Sequence, residues 1–114
     1  MNDMRVLLAN EPNVYREAIA EALRELRPHV QVSTTEPGDL DREVGRLDPH
    51  LVVCSRIGAV VEAVRAWVVL YPGGENRAEI KTADHRVSVE DMKLGDLISA
   101  VDGTERRVRD EHLV

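Results

Sequence analysis

Short apolar runs and alternating segments divide the chain into predicted β-strands. Residues 5–9 and 51–54 contain unbroken apolar runs, which are typical of strands covered on both faces in a parallel sheet. Residues 30–33 alternate between apolar and polar, which predicts a short strand with one solvated face near the sheet edge. A fourth strand is predicted over residues 67–71, because a Pro-Gly-Gly turn signal follows it.

Segments with helical spacing separate these strands. A helix is predicted over residues 13–27, and it should stop at Arg27 because a residue that precedes proline is disfavoured in the α region. Its predicted stripe is Tyr15, Ala18, Ile19, Ala22, Leu23 and Leu26. A second helix has one apolar face, formed by Leu40, Val44 and Leu47. Residues 57–66 predict a third helix, which Gly58 weakens.

The pattern over residues 78–89 predicts an antiparallel hairpin next to the fourth strand, because apolar and polar residues alternate on both sides of a polar centre. With Asp84-His85 as a two-residue loop, all apolar residues fall on one face. Two cross-strand pairs follow from this register, Thr82 with Val87 and Ile80 with Val89.

A final helix is predicted after the hairpin. Ser88 and Asp91 have the spacing of a capping box, and Gly103 is expected to end the helix. The predicted buried stripe is Leu94, Leu97, Ile98 and Val101. Residues 104–114 carry three Arg against three acids and little apolar material, so we expect a flexible charged tail.

This order of elements predicts an α/β fold, because parallel neighbouring strands need crossover connections. The expected architecture is a flavodoxin-like or receiver-like three-layer sandwich with a mostly parallel sheet, a C-terminal antiparallel hairpin and a final helix. Residues 1–103 are expected to form a single domain. Four residues are predicted to be fully buried in its core, Leu8, Leu23, Val53 and Leu97.

Charge and composition exclude several classes of partner. The formal net charge is -6, and neither half of the chain is basic, whereas nucleic acids and anionic membranes attract clustered Lys and Arg. The longest apolar runs are about five residues, far short of the roughly 20 that span a bilayer. Asp3 and Arg5 interrupt the segment where a signal peptide would be apolar. We therefore expect no nucleic-acid partner, no membrane partner and a cytoplasmic location.

Metal and cofactor chemistry finds little support in the sequence. The four histidines are scattered without ligand spacing at His29, His50, His85 and His112. The single Cys54 is interpreted as a small buried hydrophobic residue in a reducing compartment. No Gly-rich phosphate-binding loop follows the first strand. The sequence therefore predicts no cofactor and no metal site.

Polar residues collect where the predicted parallel strands end, which is the usual place of a functional crevice in an open α/β sheet. Asn10 and Glu11 follow the first strand, and Ser55 and Arg56 follow the third. Two interpretations remain open: ordinary polar strand ends, or a ligand pocket in which Arg56 pairs with an anionic group.

Two short segments carry a family resemblance. Val6 to Pro12 followed by Arg16-Glu17, and then Pro49 to Ser55, together resemble a bacterial response-regulator receiver domain over about residues 4–71. In that family the first strand ends in two acidic residues and the third ends in the phospho-accepting Asp. The acidic pair falls on Asn10 and Glu11, and the acceptor falls on Ser55.

The departures from the family pattern imply a pseudo-receiver. Receiver phosphorylation needs a carboxylate nucleophile and a Mg²⁺ held by acidic oxygens, but this chain offers Glu11 alone and a neutral Ser55 hydroxyl. Tyr71 stands where the family has Thr or Ser, and no later segment matches the family's Lys-Pro. The resemblance implies a degenerate pocket of Asn10, Glu11, Ser55 and Arg56 that is not phosphorylated in the usual way.

The expected function is therefore a non-catalytic regulatory module in signal transduction that acts through protein contact, with a homodimer as one option. An edge strand presents unpaired backbone groups, so the hairpin offers an interaction edge, Ile80, Thr82, Val87 and Val89. One alternative is a small-ligand or anion-binding domain, or a minor enzyme, that uses the crevice of Asn10, Glu11, Ser55 and Arg56. Another is one domain of a larger assembly whose output partner is a separate chain.

Overall fold

A computed structural model describes residues 4–71, 76–82 and 85–112, and shows one six-stranded sheet in the order β2-β1-β3-β4-β5-β6. The strands are β1 (Met4–Ala9), β2 (Val30–Thr34), β3 (Leu51–Cys54), β4 (Ala66–Leu70), β5 (Arg77–Thr82) and β6 (His85–Glu90). The helices are α1 (Asn13–Leu26), α2 (Leu40–Leu47), α3 (Ala59–Glu62) and α4 (Leu94–His112), and a 3₁₀ turn at Pro37–Asp39 precedes α2.

The sheet is mixed, with a parallel half and an antiparallel half. β1 pairs in parallel with β2 and β3, and β3 with β4, whereas β4-β5 and β5-β6 are antiparallel. Only residues 71–76 lie between β4 and β5. A parallel neighbour would need a crossover of roughly a dozen residues, so this short connection makes β5 run antiparallel to β4. The predicted α/β class with a C-terminal hairpin is confirmed, while the strand order fits a flavodoxin-like sandwich only in part.

Helices cover both faces of the parallel half of the sheet. α1 and α4 pack on one face, where Leu23 and Val101 meet Leu8 and Val53; we call it the α1/α4 face. The α2/α3 face is packed by Leu40, Val61, Leu7, Val52 and Trp67. The four predicted core residues, Leu8, Leu23, Val53 and Leu97, are all buried, which confirms that prediction.

Helix α1 has the predicted limits but buries a different stripe. Its buried residues are Arg16, Ala20 and Leu23, whereas Tyr15 and Leu26 are exposed. The Arg16 guanidinium reaches the Asn13 Oδ1 at 2.6 Å and the Glu36 Oε1 at 3.1 Å. Both bonds come from one terminal nitrogen of the buried guanidinium, whose Nε has no partner in the described structure, and the helix is rotated away from the purely apolar stripe that the sequence predicts.

The hairpin pairs with β4 as predicted, but its register is shifted by two residues. Thr82 pairs with His85 and Ile80 pairs with Val87, so the predicted loop at Asp84-His85 and the predicted pairs are wrong. Residues 83–84 lie outside the described residues. A shift of two keeps every side chain on its predicted face, because side chains alternate with a period of two.

Helix α4 starts later than the capping box predicts. Ser88 belongs to β6, which continues to Glu90. The helix begins at Leu94, and the Asp96 Oδ2 accepts a hydrogen bond from the Lys93 backbone N–H at 2.9 Å. Asp96 is the third residue of the helix, so its carboxylate satisfies one of the free N–H groups at the helix start.

Helix α4 also continues well past Gly103, which contradicts both the predicted helix end and the predicted flexible tail over residues 104–112. Thr104 and Val108 are buried and extend the stripe of Leu97 and Val101. Residues 113–114 are outside the described part. In that described part, no helix is both long and apolar enough to cross a membrane.

The Arg27–Asp102 ion pair and a contact between His29 and Glu105 fasten α4 to the end of α1. The Arg27 guanidinium binds both carboxylate oxygens of Asp102, at 2.8 and 2.9 Å, and holds the Asp102 pKa below its usual value. His29 lies within 3.0 Å of the Glu105 carboxylate. These charges face partners elsewhere in the molecule, which explains how a strongly charged segment is held as ordered helix.

Candidate functional site

The ends of β1 and β3 bring Glu11 and Ser55 together. Ala9 pairs with Cys54 in the parallel register, so the residues that follow both strands lie at the same edge of the sheet. The Glu11 backbone N–H donates a hydrogen bond to the Ser55 Oγ at 2.8 Å. The Ser55 hydroxyl therefore holds the chain after β1.

An opening of about 300 Å³ lies beside this hydrogen bond on the α2/α3 face, and we call it the carboxyl-edge crevice. Glu11, Ser55 and Arg56 line one side of it. Its remaining wall consists of Pro37, Gly38, Leu40 and Cys54. Three of the four predicted pocket residues thus share one crevice.

Asn10, the fourth predicted pocket residue, lies on the other face of the sheet. Successive residues of a strand point to opposite faces. Asn10 therefore points to the α1/α4 face, as Leu8 does, whereas Glu11 points to the α2/α3 face, as Leu7 does. Asn10 is 1% exposed, and its Oδ1 accepts no hydrogen bond within the described structure. The predicted four-residue pocket is therefore divided between two openings.

The second opening, which we call the Asn10 pocket, has a volume of about 210 Å³ and lies between the first turns of α1 and α4. Its walls include Asn10, Tyr15, Ile19, Leu70, Tyr71 and Leu94. The sequence predicts the ends of β1 and β4 at this edge, and it places Tyr15 on the apolar stripe of the first helix and Tyr71 at the end of the fourth strand. In the structure they are 55% and 37% exposed.

Tyr71 has an unusual backbone conformation at the rim of the Asn10 pocket. Its φ of 53° lies in the left-handed region that residues other than glycine rarely adopt. The Tyr71 N–H donates to the Arg77 carbonyl at 2.9 Å, and its hydroxyl lies 3.4 Å from the Met92 carbonyl. Trp67, four residues earlier, is buried on the α2/α3 face.

Cys54 lines the carboxyl-edge crevice, but its thiol has low nucleophilic reactivity. Burial raises the pKa of its thiol to about 12, so the sulfur is protonated at neutral pH. A protonated thiol is a poor nucleophile, because the thiolate is the reactive form. The prediction of a small buried hydrophobic residue agrees with this environment.

The opposite end of the parallel strands has a larger opening of about 1020 Å³, next to His50. The His50 Nδ1 accepts a hydrogen bond from the Arg5 backbone N–H at 3.0 Å. Two of the basic side chains around this opening bind backbone carbonyls: Arg5 those of Leu47 and Asp48, and Lys81 that of Glu62. They therefore complete the ends of α2 and α3. Among the described residues, no group of His, Cys, Asp and Glu has the arrangement of a metal site.

The predicted interaction edge is also divided by the strand order. β6 is the outer strand, and on it Val87 is 55% exposed and Val89 is half-buried. Ile80 and Thr82 belong to β5, which pairs with β4 on one side and β6 on the other. Among the described residues, the outer edge on the hairpin side of the sheet therefore consists of β6 alone, and β2 forms the opposite edge.

The sequence analysis missed the buried charge of Arg16. Arg16 has the helical spacing to Ile19, Ala20 and Leu23 that places all four residues on one face. This spacing is the signal in the sequence that could have predicted the burial of Arg16. Arg16 joins α1 to the segment before α2 through Glu36, at 3.1 Å. It thus positions the polypeptide on both sides of the carboxyl edge.

The chain matches no model of a known protein family, and no curated protein matches it. The resemblance to receiver domains remains a prediction from the sequence.

Proposed function

We propose that this chain is a receiver-like, non-catalytic regulatory module that acts through protein contacts, and that one such contact pairs the β6 edges of two copies. The observation that carries the proposal is the free outer edge of β6. An edge strand is a template for another strand unless it is covered or blocked.

The backbone of β6 alternates between groups that bind β5 and groups that face outward. The Asp91 N–H donates to the Asn76 carbonyl at 3.1 Å, which marks that cross-strand pair as hydrogen-bonded. In an antiparallel ladder, hydrogen-bonded pairs alternate with non-bonded pairs. The backbone groups of Arg86, Ser88 and Glu90 therefore point away from β5.

The sequence of β6 is complementary to itself in one register. A two-fold axis through Ser88 places Arg86 opposite Glu90 of the second copy, twice in the dimer. The same axis places Val87 opposite Val89 on the other face. Opposite charges and apolar pairs directly across an antiparallel pair are stabilising, so this register is favoured over its neighbours.

The two edges of the sheet differ in how they are protected. At the β2 edge, the Arg24 guanidinium donates to the Val32 carbonyl at 3.1 Å and so occupies a backbone acceptor. At the β6 edge, Arg86 lies over the Trp67 ring at 5.2 Å and pairs with Glu62. These contacts hold the Arg86 side chain against the α2/α3 face and leave its backbone accessible.

Sedimentation velocity over a range of micromolar concentrations tests the proposal. The wild-type chain should show a dimer that Ser88→Pro abolishes, because proline removes the outward N–H at the centre of the interface. Ser88→Ala keeps that N–H and should retain the dimer. A wild-type chain that sediments as a monomer throughout, or a dimer that persists in folded Ser88→Pro, would overturn the pairing.

A second candidate function is the binding of a small anion in the carboxyl-edge crevice. The observation that favours it is the open volume of about 300 Å³, with the exposed Arg56 beside the Ser55 hydroxyl. A guanidinium next to a hydroxyl is suited to a phosphate or carboxylate group. Pairing at β6 does not involve this crevice, so the two functions can be tested separately.

A further inference from the structure

We propose that the Asn10 pocket is a binding site for one aromatic ring that carries an N–H or O–H donor, that is, an indole or phenol group. This chemistry is presented both by a free small molecule and by a tryptophan or tyrosine side chain of another protein. The proposal uses a surface distinct from the β6 edge and goes beyond the function proposed above.

The size of the pocket limits what it can hold. Its volume of about 210 Å³ is several times the roughly 30 Å³ of one water molecule. Sites for whole drug-sized molecules begin at roughly 300 Å³. The space therefore suits a single bicyclic or monocyclic ring, which matches an indole or a phenol better than a nucleotide or a peptide segment.

The buried amide of Asn10 determines the polarity of the occupant. Its Oδ1 is an acceptor removed from solvent, and it has no partner in the described structure. Buried polar atoms are nearly always hydrogen-bonded, so an unpaired one needs an explanation. An indole N–H or a phenol O–H would supply the missing donor, whereas an aliphatic group would leave the oxygen unpaired.

The rim of the pocket is unusually apolar for an exposed surface. Tyr15, Tyr71 and Leu94 are three of the large apolar residues that remain exposed, and all three line this opening. Clusters of exposed apolar side chains mark interaction sites. The two tyrosine rings can pack edge-to-face against an inserted aromatic ring and exclude water from its hydrogen bond.

The rim is also preformed, which lowers the entropy cost of binding. Tyr71 is held in its left-handed conformation by hydrogen bonds on both its N–H and its hydroxyl. Strained residues of this kind persist only where their surroundings hold them, and they cluster at ligand clamps. An arriving ring therefore meets a shaped pocket, with Leu70 and Ile19 as its apolar walls.

Amide NMR titration of the full chain with indole and 1-methylindole tests this inference. Indole should give saturable shifts confined to residues of the pocket, such as Ile19 and Tyr71. We expect 1-methylindole to bind roughly tenfold more weakly, because it has no donor for the Asn10 oxygen. The inference is overturned if indole produces no saturable shifts at the pocket, or if both probes bind the wild type equally.

Variants separate the hydrogen bond from the apolar contact. Asn10→Leu removes the acceptor and should bring the affinities for the two probes together. Leu94→Ser changes an exposed rim residue and should weaken both probes, whereas Leu26→Ser, an exposed apolar residue elsewhere on the molecule, should weaken neither. If Asn10→Leu does not fold, the Leu94→Ser and Leu26→Ser pair still decides the question, and equal loss of binding in both would contradict the proposed site.

The source of the ring is distinguished by a third probe, N-acetyl-tryptophanamide, which carries a peptide group on both sides of the side chain. Binding of this probe as tight as that of indole identifies a protein side chain as the occupant. Binding of indole alone identifies a free small molecule. Ser88→Pro should leave all these affinities unchanged, so failure at the pocket and failure at the β6 edge remain distinguishable.

Discussion

Ser55 and Asn10 follow neighbouring strands, yet they line two different openings. The sequence predicts both residues at the carboxyl edge, because the apolar runs of the first and third strands show where those strands end. It does not indicate that Asn10 becomes buried beneath α1 and α4, because that depends on how the helices cover each face. Only the folded chain shows that its amide oxygen lacks a partner.

Acetyl phosphate or beryllofluoride with Mg²⁺ is expected to leave the protein unmodified. Ser55 offers no carboxylate, and its Oγ already accepts the Glu11 N–H at 2.8 Å. Intact-mass spectrometry and amide NMR measure this directly. A stoichiometric phosphoryl adduct that is lost in Ser55→Ala would contradict the account.

Inorganic phosphate that shifts the Ser55 and Arg56 amides in the wild type, but not in Arg56→Gln, would instead favour the anion-binding candidate.

Among the elements, the regular ones follow the sequence most closely. The limits of α1 are set by strong periodicity and by the proline after it, and the structure agrees within a residue; α2 contains the predicted face of Leu40, Val44 and Leu47. The hairpin register depends on the turn, and the turn contains no glycine to mark it. The later half of α4 escaped prediction because it depends on the burial of Thr104 and Val108 and on the long-range Arg27–Asp102 ion pair.

Gly103→Ala is expected to stabilise the protein by about 0.5 to 1 kcal/mol, because glycine is less favourable than alanine inside a helix. A methyl group at this position would meet no atom within 4 Å, so no clash offsets the gain. Urea denaturation measures the change. Gly45→Ala in α2 is the matched control, since it is equally unobstructed. A gain at Gly45 without one at Gly103 would indicate that the helix ends where the sequence predicts.

At the scale of the whole molecule, the two halves of the sheet have different surroundings. Helices cover both faces of the parallel strands, whereas the hairpin adds two antiparallel strands and ends in the exposed β6. The order of the predicted elements is sufficient to indicate an α/β class. The free edge at β6 and the protected edge at β2 require the strand order, which depends on the short connection between β4 and β5.

The central claim is that two copies pair through β6 in the register centred on Ser88, and disulfide trapping of Ser88→Cys tests it most directly. Residues directly opposite in a hydrogen-bonded antiparallel pair have Cα atoms about 5.5 Å apart, within the roughly 4.4 to 6.8 Å that a disulfide spans. Under mild oxidation, Ser88→Cys should form a covalent dimer much faster than Glu25→Cys, an exposed control on α1. Equal rates of cross-linking at the two positions would contradict the account.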